Sequence, residues 1–430
     1  MAVTGRLALV AALGAGLLLV ASSWWAFWLL NGLLVALVGV DLALAGSLRD
    51  VTVDRSGDRV TRLDDTACVR LALTNTGRRR LAGTVRDAWP PSAGVAVSRH
   101  HVDLPSGERR FVTTQLRPTR RGPRRADRVT LRALGPLGLA GRQRSVVAPW
   151  TVEVLPPFRS RKYLPSRLAR LRDLDGRTAV QVRGQGTEFD SLREYVVGDD
   201  VRSIDWRASA RADDVMVRTW RPERDRHVVL VIDAGRTSAG RVGDEPRLDA
   251  QIEAALLLAV LASRAGDRVE LLVWDRGVRG FVRGETGGTL LPTMTRVLAP
   301  VEASLVETDW RGVVTEVLRR VRRRSLVVLL SPLEPAAIEE GLLPVLRQLT
   351  ARHLVLLASV SDPVVSAMTA DRSDATAVYA AASAEQTMAE RRRVEAALRR
   401  LGAEVVDAGP DQLAPQLADT YLALKAAGRL

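Results

Sequence analysis

The sequence predicts a multidomain protein: an N-terminal transmembrane helix hairpin, an immunoglobulin-like β-sandwich, and a doubly wound, Rossmann-like α/β domain. Three observations predict it. Two apolar runs open the chain, each close to the length of a membrane span. A middle stretch consists of short β-type runs broken by turns, without helical periodicity. The second half alternates very apolar short runs with helical patterns. At 430 residues the chain exceeds one ordinary hydrophobic core. The boundaries read as 1–48 for two transmembrane helices, 50–158 for the sandwich, 159–226 for a charged connecting segment and 227–430 for the α/β domain.

Residues 7–21 form an unbroken run of apolar residues and glycine. Ser22 and Ser23 interrupt it, and residues 24–40 form a second run with Asn31 as its strongly polar member. A helix needs about 20 apolar residues to cross the hydrocarbon core, and 6–22 and 24–45 each come close. A cleaved signal peptide would account for the first run but not the second. Trp24, Trp25 and Trp28 lie beside the turn, where indoles favour the interface. Arg6 precedes the first span and Arg49 follows the second. By the positive-inside rule both ends, and the bulk of the chain, are expected in the cytoplasm. The expected location is the plasma (inner) membrane, with lipid contacted through the hairpin. Asp41, at the inner end of the second span, reads as an interfacial carboxylate.

Between 51 and 157, β-type runs at 68–73, 95–97, 111–116, 129–134 and 152–155 are separated by turn sequences such as Asn75-Thr76-Gly77 and Pro90-Pro91. Short strands at this spacing read as a β-sandwich. Six arginines between 117 and 128 read as a solvated loop, with anionic lipid headgroups as the alternative partner. His100 and His101 are adjacent, with no cysteine or carboxylate cluster beside them, which makes a poor zinc pair.

The formal net charge is +14, but Lys162 and Lys425 are the only lysines. The arginine excess is spread along the chain, and no basic stripe is interleaved with aromatics, so nucleic-acid binding is not expected. Cys68 is the only cysteine, which excludes an internal disulfide.

Residues 183–211 pack charges, glycines and aromatics together with neither helical nor strand periodicity. Glu188, Arg193, Glu194, Asp199, Asp200, Arg202, Asp205, Arg207 and Arg211 crowd around Phe189, Tyr195, Ile204 and Trp206. So many charges cannot be buried unpaired, so a salt-bridged network over an apolar seat is expected. The stretch resembles the signature of the domain of unknown function 58 family. That likeness rests on Gly186, Glu188-Phe189, Arg193-Glu194-Tyr195, Gly198-Asp199, Arg202, Ile204-Asp205-Trp206 and Ala210-Arg211. Arg121-Gly122 and Gly135-Pro136-Leu137-Gly138-Leu139 are similar to two further motifs of that family, with Gly135 where Asp is usual and Leu137 where Phe is usual. The resemblance implies that the α/β domain is von Willebrand factor A-like. It also implies a membrane-anchored partner of a MoxR-type AAA+ ATPase.

After the signature, apolar runs at 227–232, 269–274, 325–330 and 353–360 read as strands buried on both faces. Helices are expected at 248–263, 288–299, 310–323 and 336–349. A capping box at 383–386 is expected to open a helix running to 401. A short strand at 404–406 and a C-terminal helix striped by Leu413, Leu417, Tyr421 and Leu424 complete the domain. Alternation of this kind gives a doubly wound sheet, with ligands at the carboxyl ends of the strands.

The von Willebrand A resemblance implies a Mg²⁺ site, and here it reads as degenerate. Asp233 is kept, Thr237 can replace the second serine, and Thr308 can stand for the later threonine. Gly235 has no side-chain oxygen, Pro332 offers no carboxylate, and Arg236 adds positive charge. Mg²⁺ demands near-octahedral oxygen coordination, so tight binding is not expected and no cofactor is assigned. On residues alone, Asp233 would cap the following turn, and Thr308 or Asp309 the helix beginning near Trp310.

No Gly-x-Ser-x-Gly elbow or Walker loop occurs, and Gly184-Gln185-Gly186 is too short for a dinucleotide fingerprint, so the chain is not expected to hydrolyse ATP. The expected function is a membrane-anchored, non-enzymatic scaffold or adaptor. It would present its α/β domain to a cytoplasmic MoxR-type ATPase through Glu188, Arg193, Glu194, Asp199, Arg202, Asp205 and Arg211, in assembly or maturation of envelope or other protein complexes. Two alternatives are a membrane-bound hydrolase using the Glu188, Asp199 and Asp205 carboxylates, and an exported adhesion domain.

Overall fold

Apolar side chains on every face make the first two elements helices that no protein core covers. The computed structural model describes residues 2–21, 23–181, 188–212, 214–221 and 226–430. It divides into two compact units, Met1–Pro157 and Phe158–Leu430. In the first unit, helix α1 (Gly5–Ala21) and helix α2 (Trp24–Leu44) expose leucine, tryptophan and valine along their length. The second helix is long and apolar enough to cross a membrane, whereas α1, at 17 residues, is shorter. Asn31 is satisfied within α2, donating to Phe27 O at 2.9 Å. Ser22 of the connecting turn lies outside the described residues.

The sandwich follows from alternating burial. Its smaller sheet is β1 (Val51–Gly57), β2 (Ala67–Asn75) and β5 (Arg109–Leu116), with β2 central. The larger sheet takes β3 (Leu81–Asp87), β4 (Arg99–Leu104), β6 (Gly122–Leu134) and β7 (Ala140–Leu155) in the order β7-β6-β3-β4. Short segments Ala2–Val3 and Val60–Arg62 extend it along β7. Leu71 and Leu73 of one sheet pack with Val85, Val129 and Leu131 of the other. Two sequence expectations are corrected. The run at 95–97 makes a single bridge, Val95 to Leu116, because the left-handed Gly94 breaks the chain just before it. The arginine-rich stretch enters strand β6 at Gly122, with Arg121 buried and Arg124 donating to Ser92 Oγ at 2.6 Å, so it is not a solvated loop.

Asp41, read from the sequence as an interfacial carboxylate, is wholly buried by the protein. Its carboxylate accepts the backbone N–H groups of Leu137 (2.8 Å), Leu139 (2.6 Å) and Ala140 (3.0 Å), in the turn between β6 and β7. Gly135 allows this approach, since a Cβ there would come within 2.3 Å of Asp41 Oδ1.

The second unit opens with a helix at Leu164–Gln181, for which the sequence reading made no provision. Leu171 joins the α/β core from it. A two-stranded antiparallel hairpin follows, β8 (Glu188–Glu194) with β9 (Met216–Arg221). The main sheet then comprises β10 (His227–Asp233), β11 (Arg268–Trp274), β12 (Val278–Val282), β13 (Leu326–Leu330), β14 (Leu354–Val360) and β15 (Ala403–Ala408). Their order is β12-β11-β10-β13-β14-β15, parallel except for the edge strand β12. Helices Arg247–Arg264 and Pro410–Ala426 cover one face, and Trp310–Arg320, Leu343–Thr350 and Ala375–Arg400 the other. The sheet is therefore doubly wound. Ser383 does not open a helix. The Asp374 side chain caps Ala377 N–H at 2.7 Å, and an alanine-rich turn carries the helix through Ser383 from Ala375.

Candidate functional site

From β10 the chain winds outward to β11 and β12, then crosses back to β13 on the other side of β10. The carboxyl ends of β10 and β13 thus flank the point where strand order reverses, the usual ligand crevice of an open α/β sheet. Asp233 ends β10, and Ser331 follows β13. The predicted residues Asp233, Thr237 and Thr308 meet here. The buried Asp233 carboxylate accepts from Gly235 N–H (2.8 Å), Thr237 Oγ1 (3.2 Å), Ser331 Oγ (2.7 Å) and Thr308 Oγ1. Burial pushes its carboxyl above the usual range, against the hydrogen bonds that favour the ionised form. Asp309 takes the helix cap, accepting Gly312 N–H at 3.0 Å, which leaves Thr308 for Asp233. Ser331 was not among the predicted site residues. Its signal was a small hydroxyl directly after an all-apolar strand.

Gly235 has a steric reason. A Cβ there would lie 2.1 Å from Thr308 Oγ1. The pocket offers a single carboxylate whose two oxygens already take protein donors. The nearby Glu307 is turned to Arg236 Nε at 2.7 Å. Thr237, Thr308 and Ser331 bring hydroxyl oxygens to the pocket, but Asp233 is its one carboxylate and Gly235 and Pro332 supply no side-chain oxygen, so the residues present fit Mg²⁺ poorly. Among the described residues, no group of three His, Cys, Asp or Glu side chains is placed to hold a metal.

The hairpin carries the other predicted residues. Arg193 Nη2 meets Asp199 Oδ1 at 2.5 Å, and Asp199 Oδ2 accepts Val196 N–H at 3.0 Å. Asp205 accepts Arg207 N–H and Ala208 N–H, both at 3.0 Å, capping the helix Trp206–Ala212. It also accepts Arg218 Nε from β9 at 2.7 Å, an arginine missing from the predicted set. The Arg193 side chain and the Val196 N–H hold Asp199 below the usual carboxylate range. The Ala208 N–H, with Arg218, does the same for Asp205. Glu194, Arg202 and Arg211 are exposed and enter no side-chain pair among the described residues. Glu188 begins β8 opposite Arg221. Gly184 and Gly186 lie outside the described residues.

Of the expected apolar seat, Tyr195 and Ile204 are half-buried and Trp206 is exposed, and the Phe189 side chain lies outside the described residues. Val197 is 94% exposed and Trp206 71%, with Val196 and Val201 also open to solvent. Local pairing folds the turns of the hairpin tightly without covering these side chains, so charges frame an apolar surface.

Comparison with known proteins gives sequence kinship without a described activity. The chain is 30% identical over 185 residues to "Uncharacterized protein Rv1480" of Mycobacterium tuberculosis and to "Uncharacterized protein Mb1516" of Mycobacterium bovis, covering 42% of this chain and 57% of each relative. It thus spans little more than half the length of these relatives. Among solved structures, the CARDB domain of the PF1109 protein from Pyrococcus furiosus matches at 20% identity, covering 26% of this chain and 91% of that chain, with a TM-score of 0.20. Native alpha-2-macroglobulin from Escherichia coli matches at 19% identity, covering 25% of this chain and 16% of that chain, with a TM-score of 0.22. The fold description rests on the strand order above and not on these two likenesses. The model of the family described as "Protein of unknown function DUF58" matches residues 191–419, more than half the chain and most of the hairpin and α/β sheet, and the chain belongs to that family.

Proposed function

We propose that this chain is a membrane-anchored, non-enzymatic docking protein whose hairpin presents an apolar patch to a protein partner, and that the partner is a MoxR-type AAA+ ATPase on the cytoplasmic side. The observation that carries the reading is the exposure of Val197 and Trp206 on a hairpin whose turns are pinned by Arg193–Asp199 and Asp205–Arg218. Exposed large apolar side chains rimmed by charge mark protein-interaction sites, and tryptophan and arginine dominate binding energy there. Glu194, Arg202 and Arg211 supply the unpaired polar rim, while Arg193, Asp199 and Asp205 act by holding the turns in shape. Two N-terminal spans with both ends in the cytoplasm complete the picture. Parallel strands with an antiparallel edge, and the meeting of Asp233, Thr237 and Thr308 at the switch point, support a von Willebrand A-like reading of the α/β domain.

A hydrolase built on the hairpin carboxylates is disfavoured. A general acid needs a raised pKa, and Asp199 and Asp205 are both held low. The test is co-purification of the tagged full-length chain from membranes, with Trp206→Ala and Arg202→Glu variants beside it. The expected result is capture of a MoxR-type ATPase by the native chain and at least a tenfold loss in each variant. Equal capture by all three, or no ATPase with any, would sink the reading.

A further inference from the structure

At one end of the helix pair, where the first unit passes from apolar helices into the sandwich, arginine gathers. Arg6 lies in the first turn of α1, Arg49 follows α2, Arg78 and Arg79 lie in the turn between β2 and β3, and Arg142 and Arg144 lie near the start of β7. Hydrogen bonds fix two of them, Arg79 and Arg144, at the end of α2. Arg79 Nη1 donates to Ala43 O in α2 at 2.7 Å. Arg144 Nη1 donates to Leu48 O at 2.9 Å and to Arg49 O at 3.1 Å. Arg6 lies against Gly138, where a Cβ would come within 2.9 Å of its Nη1. Arg142 is two residues from Ala140, whose N–H binds Asp41. All six side chains are exposed.

One exposed carboxylate, Asp50, lies among them, beside Arg49 and Gly77. The Asp41 carboxylate is buried under backbone N–H groups, and Asp103 is taken by Arg80, so the positive charge is in excess. Arg6, Arg49, Arg78 and Arg142 have no ion pair or side-chain hydrogen bond among the described residues. The opposite end of the helix pair is uncharged and bears Trp24, Trp25 and Trp28. The 21 residues of α2 span about 30 Å at 1.5 Å each, the thickness of a hydrocarbon core. Tryptophans and arginines therefore fall at the two interfaces.

We propose that this arginine collar binds anionic phospholipid headgroups, so that the chain is seated preferentially in an acidic lipid surface. The inference rests on the membrane-anchored reading above. Guanidinium forks match phosphate oxygens bidentately, and cations close to a helix end lie where headgroup charge is densest. The arginines between 117 and 128, the alternative lipid contact from the sequence, are not tied to the helix ends by any described contact.

The experiment uses the full-length chain. Flotation with phosphatidylcholine vesicles tests anchoring. The thermal midpoint in detergent, with phosphatidylglycerol or phosphatidylcholine added, tests the collar. Phosphatidylglycerol is expected to raise the midpoint of the native chain where phosphatidylcholine does not. The Arg6→Gln/Arg49→Gln/Arg78→Gln/Arg142→Gln variant should lose that shift and keep its midpoint in detergent alone. A milder Arg78→Gln/Arg142→Gln variant should lose about half, which covers a failure of the fourfold variant to fold, and Arg120→Gln/Arg125→Gln should keep all of it. Equal shifts with both lipids, or a full shift in the collar variants, overturn the collar and leave anchoring standing. Failure to float with the phosphatidylcholine vesicles overturns both.

Discussion

The Asp41 carboxylate lies 2.6 Å from the backbone N–H of Leu139, and with the bonds from Leu137 and Ala140 it ties the end of α2 to the turn between β6 and β7. A carboxylate buried against three amide donors works as a joint between helix and sandwich. Asp41→Ala would leave the Leu139 and Ala140 donors buried without acceptors. Each unsatisfied group costs about 1–3 kcal/mol, so the sandwich should lose roughly 2 kcal/mol or more. A thermal midpoint in detergent measures it, and an unchanged midpoint would contradict the joint. Gly135→Ala should reproduce the defect from the other side, because its Cβ would occupy the space of the Asp41 carboxylate.

Adding an oxygen to the Asp233 pocket should not make a magnesium site. A side chain at 235 must displace Thr308, which lies 2.1 Å from the ideal Cβ. Gly235→Ser is expected to cost about 1–3 kcal/mol through overpacking, and the full-length variant should show no Mg²⁺-dependent rise in thermal midpoint. A clear rise with Mg²⁺, abolished by Asp233→Ala, would show that the pocket can reopen around a cation.

Trp206 and Asp205 are neighbours with separable roles. Trp206 is open to solvent, so Trp206→Ala should alter fold stability by less than about 0.5 kcal/mol while removing partner capture. Asp205 holds a helix cap and the Arg218 pair, so Asp205→Ala should loosen the hairpin. Hydrogen exchange at residues 205–218 reads the difference. Equal exchange in the two variants would mean the cap does not hold the turn.

The α/β sheet was legible because its strands are apolar on both faces, and a run such as 326–330 admits few other readings. The sandwich was less so. Strands β1, β3 and β4 alternate with arginine, histidine and aspartate, and the pairing that makes them strands is non-local. Nothing local marks Arg55 and Asp87 as a buried ion pair either, because 32 residues separate them. At the switch point, Asp233, Thr237 and Thr308 could be proposed from order along the chain, but Ser331 needed β13 placed beside β10. On the hairpin, the charges were visible and their pairing partly so. Exposure of Trp206 was not, since an isolated tryptophan in a sequence reads as core.

His353 gives the α/β domain a pH limit. It is buried just before β14, and neither ring nitrogen has a hydrogen-bond partner among the described residues. Burial, then the charge of Arg352 and the proximity of His227, lower its pKa in the fold. The unfolded chain therefore binds a proton at a higher pH than the native one, near the ordinary histidine value of about 6.5. Stability is full above that value and falls as pH drops below it, by up to about 1.4 kcal/mol per pH unit, until the folded imidazole also protonates. Asp199 and Asp205 act in a lower window. Their folded pKa values are depressed, so their contribution holds above about pH 4 and is lost as pH falls further. Thermal midpoints of the native chain should therefore decline in two stages. A His353→Gln variant should flatten the first stage alone, because it removes the titrating ring and leaves the hairpin carboxylates in place. A first stage of equal slope in the variant would assign the proton to another group.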